Sequence, residues 1–288
     1  MDWTTGMPAT PVVAMTIAGS DSGGGAGIQA DLKVFAALGV FGTCAITAVT
    51  AQNTCGVTGV HQVPARQVAA QIDAVRSDLT VRAVKTGMLG TARVAGAVAA
   101  LARAGRLPNL VVDPVLVSTS GHRLGVVGAV ERLLPYALVA TPNRAEAAAL
   151  LGRPVRSTAE MARAAVELVA AGPRYVVVTG GDPADDSTSD PTGDVDPTGG
   201  VAVDVVGTAD GTWTLPGQRL ATSNTHGTGC SFSAAIVARL ALGDDVPAAL
   251  LFAKDYIARA LVGARHWRLG GGHGPVDHFG WSAQSTTS

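Results

Sequence analysis

Asn224-Thr225-His226-Gly227-Thr228-Gly229-Cys230 runs directly into the apolar stretch Ser231 to Leu242. Small residues at 227 to 229 let successive backbone N–H groups face one concavity at a helix N-terminus, where the macrodipole favours negative charge. A phosphate, or a phosphoryl group in transfer, is the natural occupant, and a plain helix-capping turn is the competing reading. Cys230 falls in the first turn, where the dipole is expected to lower a thiol pKa and make the sulfur a base or polar contact; an inert small core residue is the alternative.

A second glycine-rich loop, Gly19 to Gly27, follows the first apolar run and leads into Gln29-Ala30-Asp31. It falls short of a dinucleotide fingerprint: the last small residue is missing, and no acidic residue stands about 20 positions on. The chain also has no Gly-x-x-x-x-Gly-Lys-[Ser/Thr] loop, which excludes a Walker-type nucleotide site. Of 21 Lys and Arg, only Lys33, Lys85 and Lys254 are lysine. Lys85 ends a short strand before Thr86-Gly87-Met88, where an amine could meet phosphate or sit exposed or ion-paired. Asp113 precedes Pro114, and Asn143 stands one helical turn before Glu146. Such oxygen ligands suit Mg²⁺ held mostly through substrate phosphates and water; for Asn143 the competing reading is a helix N-cap. His226, His273 and His278 lack partners at ligand spacings, and Trp213, Trp267 and Trp281 read as packing residues.

The elements that must position these groups alternate regularly. Strands are predicted at 12–17, 44–50, 83–85, 110–112, 137–140 and 175–179, and helices at 28–38, 65–77, 91–104, 126–134, 143–151 and 158–171, the last opening with an imperfect capping box at Ser157 or Thr158. Strands separated by helices predict a parallel sheet covered on both faces, with ligands beyond the carboxyl ends of the strands. Residues 182–200 carry six Asp and three Pro and read as a mobile acidic loop, either a solvated insertion or a flap over the substrate. Strands at 201–206 and 212–215, joined through Asp210-Gly211, predict a small antiparallel β ribbon closing that insertion. Helices are predicted at 231–242 and 246–265. We expect one domain over 12–279, with flexible termini at 1–11 and 281–288.

A formal charge of −1, from 21 Lys+Arg against 22 Asp+Glu, gives no basic field for nucleic acid. Three cysteines are poor arithmetic for a disulfide framework, the first residues lack a basic n-region, and no apolar run is long enough to span a membrane. A cytoplasmic protein is expected.

Taken together the strings resemble the ribokinase-like superfamily, and within it the hydroxymethylpyrimidine and phosphomethylpyrimidine kinases of thiamine biosynthesis. The resemblance rests on Ala18 to Asp31, Thr47 to Thr54, Lys85-Thr86-Gly87-Met88-Leu89, Asp113-Pro114-Val115, Thr141-Pro142-Asn143 with Glu146, Gly227-Thr228-Gly229-Cys230, and the ending Gly272 to Phe279. It implies a three-layer αβα sandwich that phosphorylates 4-amino-5-hydroxymethyl-2-methylpyrimidine and then its monophosphate, with ATP and Mg²⁺, as a homodimer. It also implies roles: Gly19, Asp31, Gln52, Met88 and Val115 around the pyrimidine; Lys85, Asn143, Thr179 and Gly181 at ATP; Asp113 and Glu146 at Mg²⁺ through water; Gly227, Thr228, Gly229 and Cys230 as the anion hole, with Cys230 assisting proton removal or packing on the hydroxymethyl group. Gln52 carries donor and acceptor on one amide, which suits an aminopyrimidine edge. One departure stands out: the family pattern Lys-Gly-Gly-His is here Thr179-Gly180-Gly181-Asp182. A pyridoxal or pyridoxine kinase is the alternative enzyme, and a pyrimidine-binding sensor without turnover is the alternative from another class.

Overall fold

The computed structural model describes residues 10–116, 127–181 and 200–284. One sheet of nine strands organises them, in the order β3-β2-β1-β4-β5-β6-β7-β8-β9. The strands are β1 (Val13–Asp21), β2 (Phe41–Asn53), β3 (Gly56–Gln62), β4 (Val81–Thr86), β5 (Leu110–Val112), β6 (Val139–Ala140), β7 (Tyr175–Val178), β8 (Val201–Thr208) and β9 (Gly211–Gln218). β2, β1, β4, β5, β6 and β7 run parallel, whereas β3 pairs antiparallel with β2, and β8 and β9 antiparallel beyond β7.

Side-chain alternation sorts the strand residues onto two faces. Met15, Ile17, Val84, Leu110, Val112, Val176 and Val178 enter one core. It is covered by α2 (Ala65–Asp78), α3 (Ala92–Arg103) and α6 (Thr158–Val169). Ala14, Ala83, Val111, Val139, Val177 and Val206 enter the other, against α1 (Gly27–Ala37), α7 (Thr228–Leu242) and α8 (Val246–Ala264). Strands buried on both faces read as continuous apolar runs, and β5 and β7 do. The predicted αβα sandwich with a mainly parallel sheet is therefore present.

Several elements differ from expectation in extent. The antiparallel pair expected at 201–206 and 212–215 is present as β8 and β9, and because β8 also bonds to β7 the pair lengthens the main sheet. β3 was not anticipated; it folds back on a β2 that runs well past both predicted ends. The tail beyond Phe279 is not frayed from Trp281, since Trp281–Gln284 form a helical turn, α9, and Trp281 stacks on Phe279 and Trp267. The helix predicted at 126–134 is shortened to α4 (Val127–Glu131), followed by a 3₁₀ turn over Leu134–Tyr136 that contains Pro135. The capping box before α6 is complete: Ser157 Oγ accepts from Glu160 N, and Glu160 accepts from Ser157 N. The acidic stretch 182–199 and the extreme ends lie outside the described residues.

Candidate active site

α7 begins at Thr228, so Cys230 lies inside its first turn, and Gly227 is its N-cap with φ 82°. That left-handed backbone admits glycine at little cost, and a Cβ on Gly227 would also fall 1.8 Å from Gly25 O. The two glycine-rich loops, 200 residues apart in sequence, are thus interlocked. First-turn amides have no intrahelical partner, which leaves those at Gly229 and Cys230 facing outward by helix geometry. Thr228 differs: its N–H donates to Thr225 O at 3.2 Å and its hydroxyl to the same oxygen at 3.0 Å, so it closes the turn.

Beneath this turn lies a cluster of buried charge. Lys85 on β4 points to the same face as Ala83, toward α1 and α7, and is fully buried. Its Nζ donates to Asp31 Oδ1 at 2.5 Å and to Cys230 O at 3.1 Å, and lies 3.4 Å from Asp113 Oδ2. Thr16 Oγ1 donates to Asp31 Oδ2 at 2.6 Å, and Ser233 Oγ of α7 contacts Asp113 Oδ2 at 2.9 Å. Burial works against the Lys85 charge, but Asp31, with Asp113, outweighs it and raises the amine above its ordinary value, so it remains an ammonium. Burial likewise pushes the Asp31 carboxyl upward against the pull of Lys85.

The cluster bears on three expected roles: Lys85 takes the ion-paired reading, fully buried against Asp31; Asp31 is itself fully buried; and Asp113 is buried against Ser233 and Lys85. Cys230 departs from expectation too. Burial pushes its thiol up to about 12, with Lys85 opposing and Asp113 and Asp31 adding to the rise. Desolvation overrides the helix dipole, and at neutral pH the sulfur carries its proton.

Around the rim the polar groups are neutral or paired. Asp21 at the end of β1 accepts from the amides of Gly23, Gly25 and Ala26, and its Oδ2 lies 2.9 Å from His226 Nε2. Burial raises the Asp21 carboxyl, but the His226 bond and these amides prevail and hold it below its ordinary value. The Asp21–His226 pair was not anticipated. An Asp opening a Ser-Gly-Gly-Gly loop is a local capping signal, yet nothing local announces a partner 205 positions away. Gly19 and Met88 do meet: a Cβ on Gly19 would lie 2.2 Å from Met88 Cε. Gln52, half-buried at the end of β2, has its backbone N–H bonded to Ser22 Oγ at 2.7 Å. Val115 is half-buried two residues beyond Asp113.

Toward the other end of the sheet, Asn143 caps α5 (Arg144–Leu151) in a full capping box with Glu146. It also forms a parallel bridge with Thr179, so three residues expected at nucleotide or metal are neighbours. The Gly180 peptide is gripped on both sides: its N–H donates to Asp204 Oδ1 at 3.0 Å, and its carbonyl accepts from Arg144 at 2.8 Å and Arg219 at 3.4 Å. Lys254 pairs with the other Asp204 oxygen at 2.7 Å. Gly181 follows, exposed, with open space where a side chain would be. A surface hollow of about 490 Å³ beside Arg144, Gly152 and Arg156 contains none of the groups at the α7 N-terminus.

A family model described as phosphomethylpyrimidine kinase matches residues 21–277. A hydroxymethylpyrimidine/phosphomethylpyrimidine kinase of Rhizobium meliloti is 48% identical over 93% of this chain and 97% of its own length. Among solved structures, an ADP complex of Bacillus subtilis pyridoxal kinase superposes with TM-score 0.80 at 33% identity, covering 95% of this chain and all of that one. A phosphomethylpyrimidine kinase of Clostridium difficile gives TM-score 0.70 at 36% identity, covering 87% and 99%.

Proposed function

The chain belongs to the phosphomethylpyrimidine kinase family, and from that premise we propose how its own residues carry out the reaction. It is a phosphotransferase of thiamine biosynthesis, transferring the γ-phosphoryl group of ATP to 4-amino-5-hydroxymethyl-2-methylpyrimidine and then to the monophosphate. In the first step the hydroxymethyl oxygen forms a bond to the γ-phosphorus while the bond to the β–γ bridging oxygen breaks. ADP leaves and the alcohol proton is released. The observation that carries the reading is the α7 N-terminus, whose outward amides cap a loop locked onto Gly23 to Gly27. Phosphoryl transfer requires mainly positioning and charge stabilisation, and such amides supply both.

Gly19, Met88, Val115 and Gln52 form the pyrimidine side in this proposal, with Met88 and Val115 against the ring faces. Asn143, Thr179 and Gly181 form the nucleotide side, where fixed backbone at Gly180 replaces a lysine as the organising feature. Among the described residues no cluster of three or more His, Cys, Asp or Glu could hold a metal. These donors therefore fit Mg²⁺ only as an ion carried by the nucleotide phosphates and water, with Glu146 as the remaining acidic residue of the expected pair. The ion, when bound, neutralises charge on the phosphates. We also propose a homodimer, and expect sedimentation at twice the chain mass. No helix among the described residues is long and apolar enough to cross a membrane.

Pyridoxal is the second reading, favoured by the TM-score of 0.80 to a pyridoxal kinase. ADP release with Mg·ATP and each substrate separates the two. A higher kcat/KM with the hydroxymethylpyrimidine is expected; ADP release with pyridoxal alone would overturn the assignment.

A further inference from the structure

Gln52 stands between two groups whose own hydrogen bonds determine which way its amide must face. His226 Nε2 lies 2.9 Å from Asp21 Oδ2, and because an ionised carboxylate only accepts, Nε2 must carry the proton. The structure puts Gln52 Nε2, also a donor, 3.4 Å from that same nitrogen. On the other side Gln52 Oε1 lies 3.1 Å from Thr50 Oγ1. The single Thr50 hydroxyl proton has a shorter route, 2.9 Å to Ser20 O, which can only accept. Both neighbours therefore oppose the amide in this sense; half a turn about its terminal bond turns its NH₂ to the Thr50 oxygen, which accepts, and its oxygen to the His226 Nε2–H, which it shares as the longer arm of a three-centre bond with Asp21 Oδ2.

We infer that Asp21, His226 and Thr50 act as positioning residues that hold the Gln52 amide with its oxygen toward His226 and its nitrogen toward Thr50, and so select the aminopyrimidine ring and its orientation. The amide then offers its free acceptor valence on the His226 side and its free donor on the Thr50 side. A ring nitrogen pairs with the donor and an exocyclic amino group with the acceptor. The amino group of the substrate thus lies toward the Gly23 to Gly27 loop, and the ring nitrogen toward β2. The surroundings leave little freedom to reverse this. The Gln52 backbone is tied to Ser22 through both its N–H and its carbonyl, at 2.7 Å each. The His226 ring is pressed against Gly25, where a Cβ would come within 2.4 Å of Cδ2. Asp21 is held in place by three backbone amides.

The inference rests on Gln52 meeting the pyrimidine edge, and the test separates the two claims. Dissociation constants are measured by calorimetry for 4-amino-5-hydroxymethyl-2-methylpyrimidine and for the same compound lacking the 4-amino group, with wild type, Gln52→Ala, His226→Phe and Thr50→Val. A merely structural loss weakens both ligands alike, whereas loss of amide orientation weakens only the amino compound. The wild-type preference for the amino compound is expected at ~30-fold, collapsing to ~2-fold in Gln52→Ala and falling to ~5-fold in each of the other two. Collapse in Gln52→Ala with the preference intact in both His226→Phe and Thr50→Val would overturn the inference alone. A preference that Gln52→Ala leaves intact would overturn the placement of Gln52 at the pyrimidine. If His226→Phe does not fold, Thr50→Val decides by the same ratio.

Discussion

The floor of the site and its rim are built from opposite materials. Below the first turn of α7, Lys85, Asp31 and Asp113 are buried together with Thr16 and Ser233. Above it, the groups that the proposed reaction uses are backbone amides, a neutral amide side chain and a thiol pushed up to about 12. In that proposal the residues whose types most suggest chemistry are scaffold, and the chemistry falls to groups with little formal charge. This division suits an enzyme that phosphorylates twice at one place. In the first step the nucleophile is an alcohol; in the second it is a phosphate oxygen, already without its proton and strongly negative. A protonated thiol tolerates that charge, whereas a carboxylate there would repel it.

The contrast can be broken most forcefully at the floor. Lys85→Met leaves two buried carboxylates without their cation, and a loss of about 3–5 kcal/mol is expected in urea unfolding. A loss below about 1 kcal/mol would show that the cluster is not the scaffold described. Gly227→Ala strikes the seam between floor and rim, because a side chain there needs φ 82° and meets Gly25 O. A fall in kcat/KM on the order of 100-fold is expected in steady-state assays; near-wild-type turnover would mean the loops are not locked together.

His278 extends the floor. Its Nε2 lies 3.0 Å from Ser231 Oγ, and burial, with Lys33, pushes its pKa down to about 4. The unfolded chain takes up the proton near 6.5, before the folded one, so stability is full above that value and falls between pH 6.5 and 4. The expected loss is about 2–3 kcal/mol, and His278→Gln should flatten the curve of unfolding free energy against pH; an unchanged slope would remove His278 from the account. Cys230→Asp sharpens the contrast at the rim. It should slow phosphorylation of the monophosphate about 10-fold more than that of the alcohol, read from separate kcat/KM values. Equal effects on both steps would deny that the neutral thiol serves the second.

The alternation of elements was legible because helices and buried strands differ in period, and the sandwich follows from it. β3 was not, since Gly56-Val57-Thr58-Gly59 offers neither a long apolar run nor clean alternation. At the site, the glycine turn into α7 could be read because its signal is local: small residues next to an apolar helix. For Lys85 the ion-paired reading stood among the alternatives, but its partner and depth could not be read, because they depend on Asp31, 54 positions away, and on α7 lying across β4. The upward shift of the Cys230 thiol was hidden for the same reason. A helix terminus is visible in sequence, but the depth at which tertiary packing sets it is not, and here desolvation outweighs the dipole. Asn143 with Glu146 shows a single signal carrying two meanings, since the capping box is present and also lies beside Thr179.

The most direct test follows Mg·ATP and 4-amino-5-hydroxymethyl-2-methylpyrimidine over time, with products resolved by mass. Monophosphate that rises and then gives way to diphosphate, with one ADP formed for each phosphoryl transferred, is the expected course. Monophosphate that accumulates without further conversion, or ADP formed without phosphorylated pyrimidine, would contradict a site built to accept both an alcohol and a phosphate in the same place.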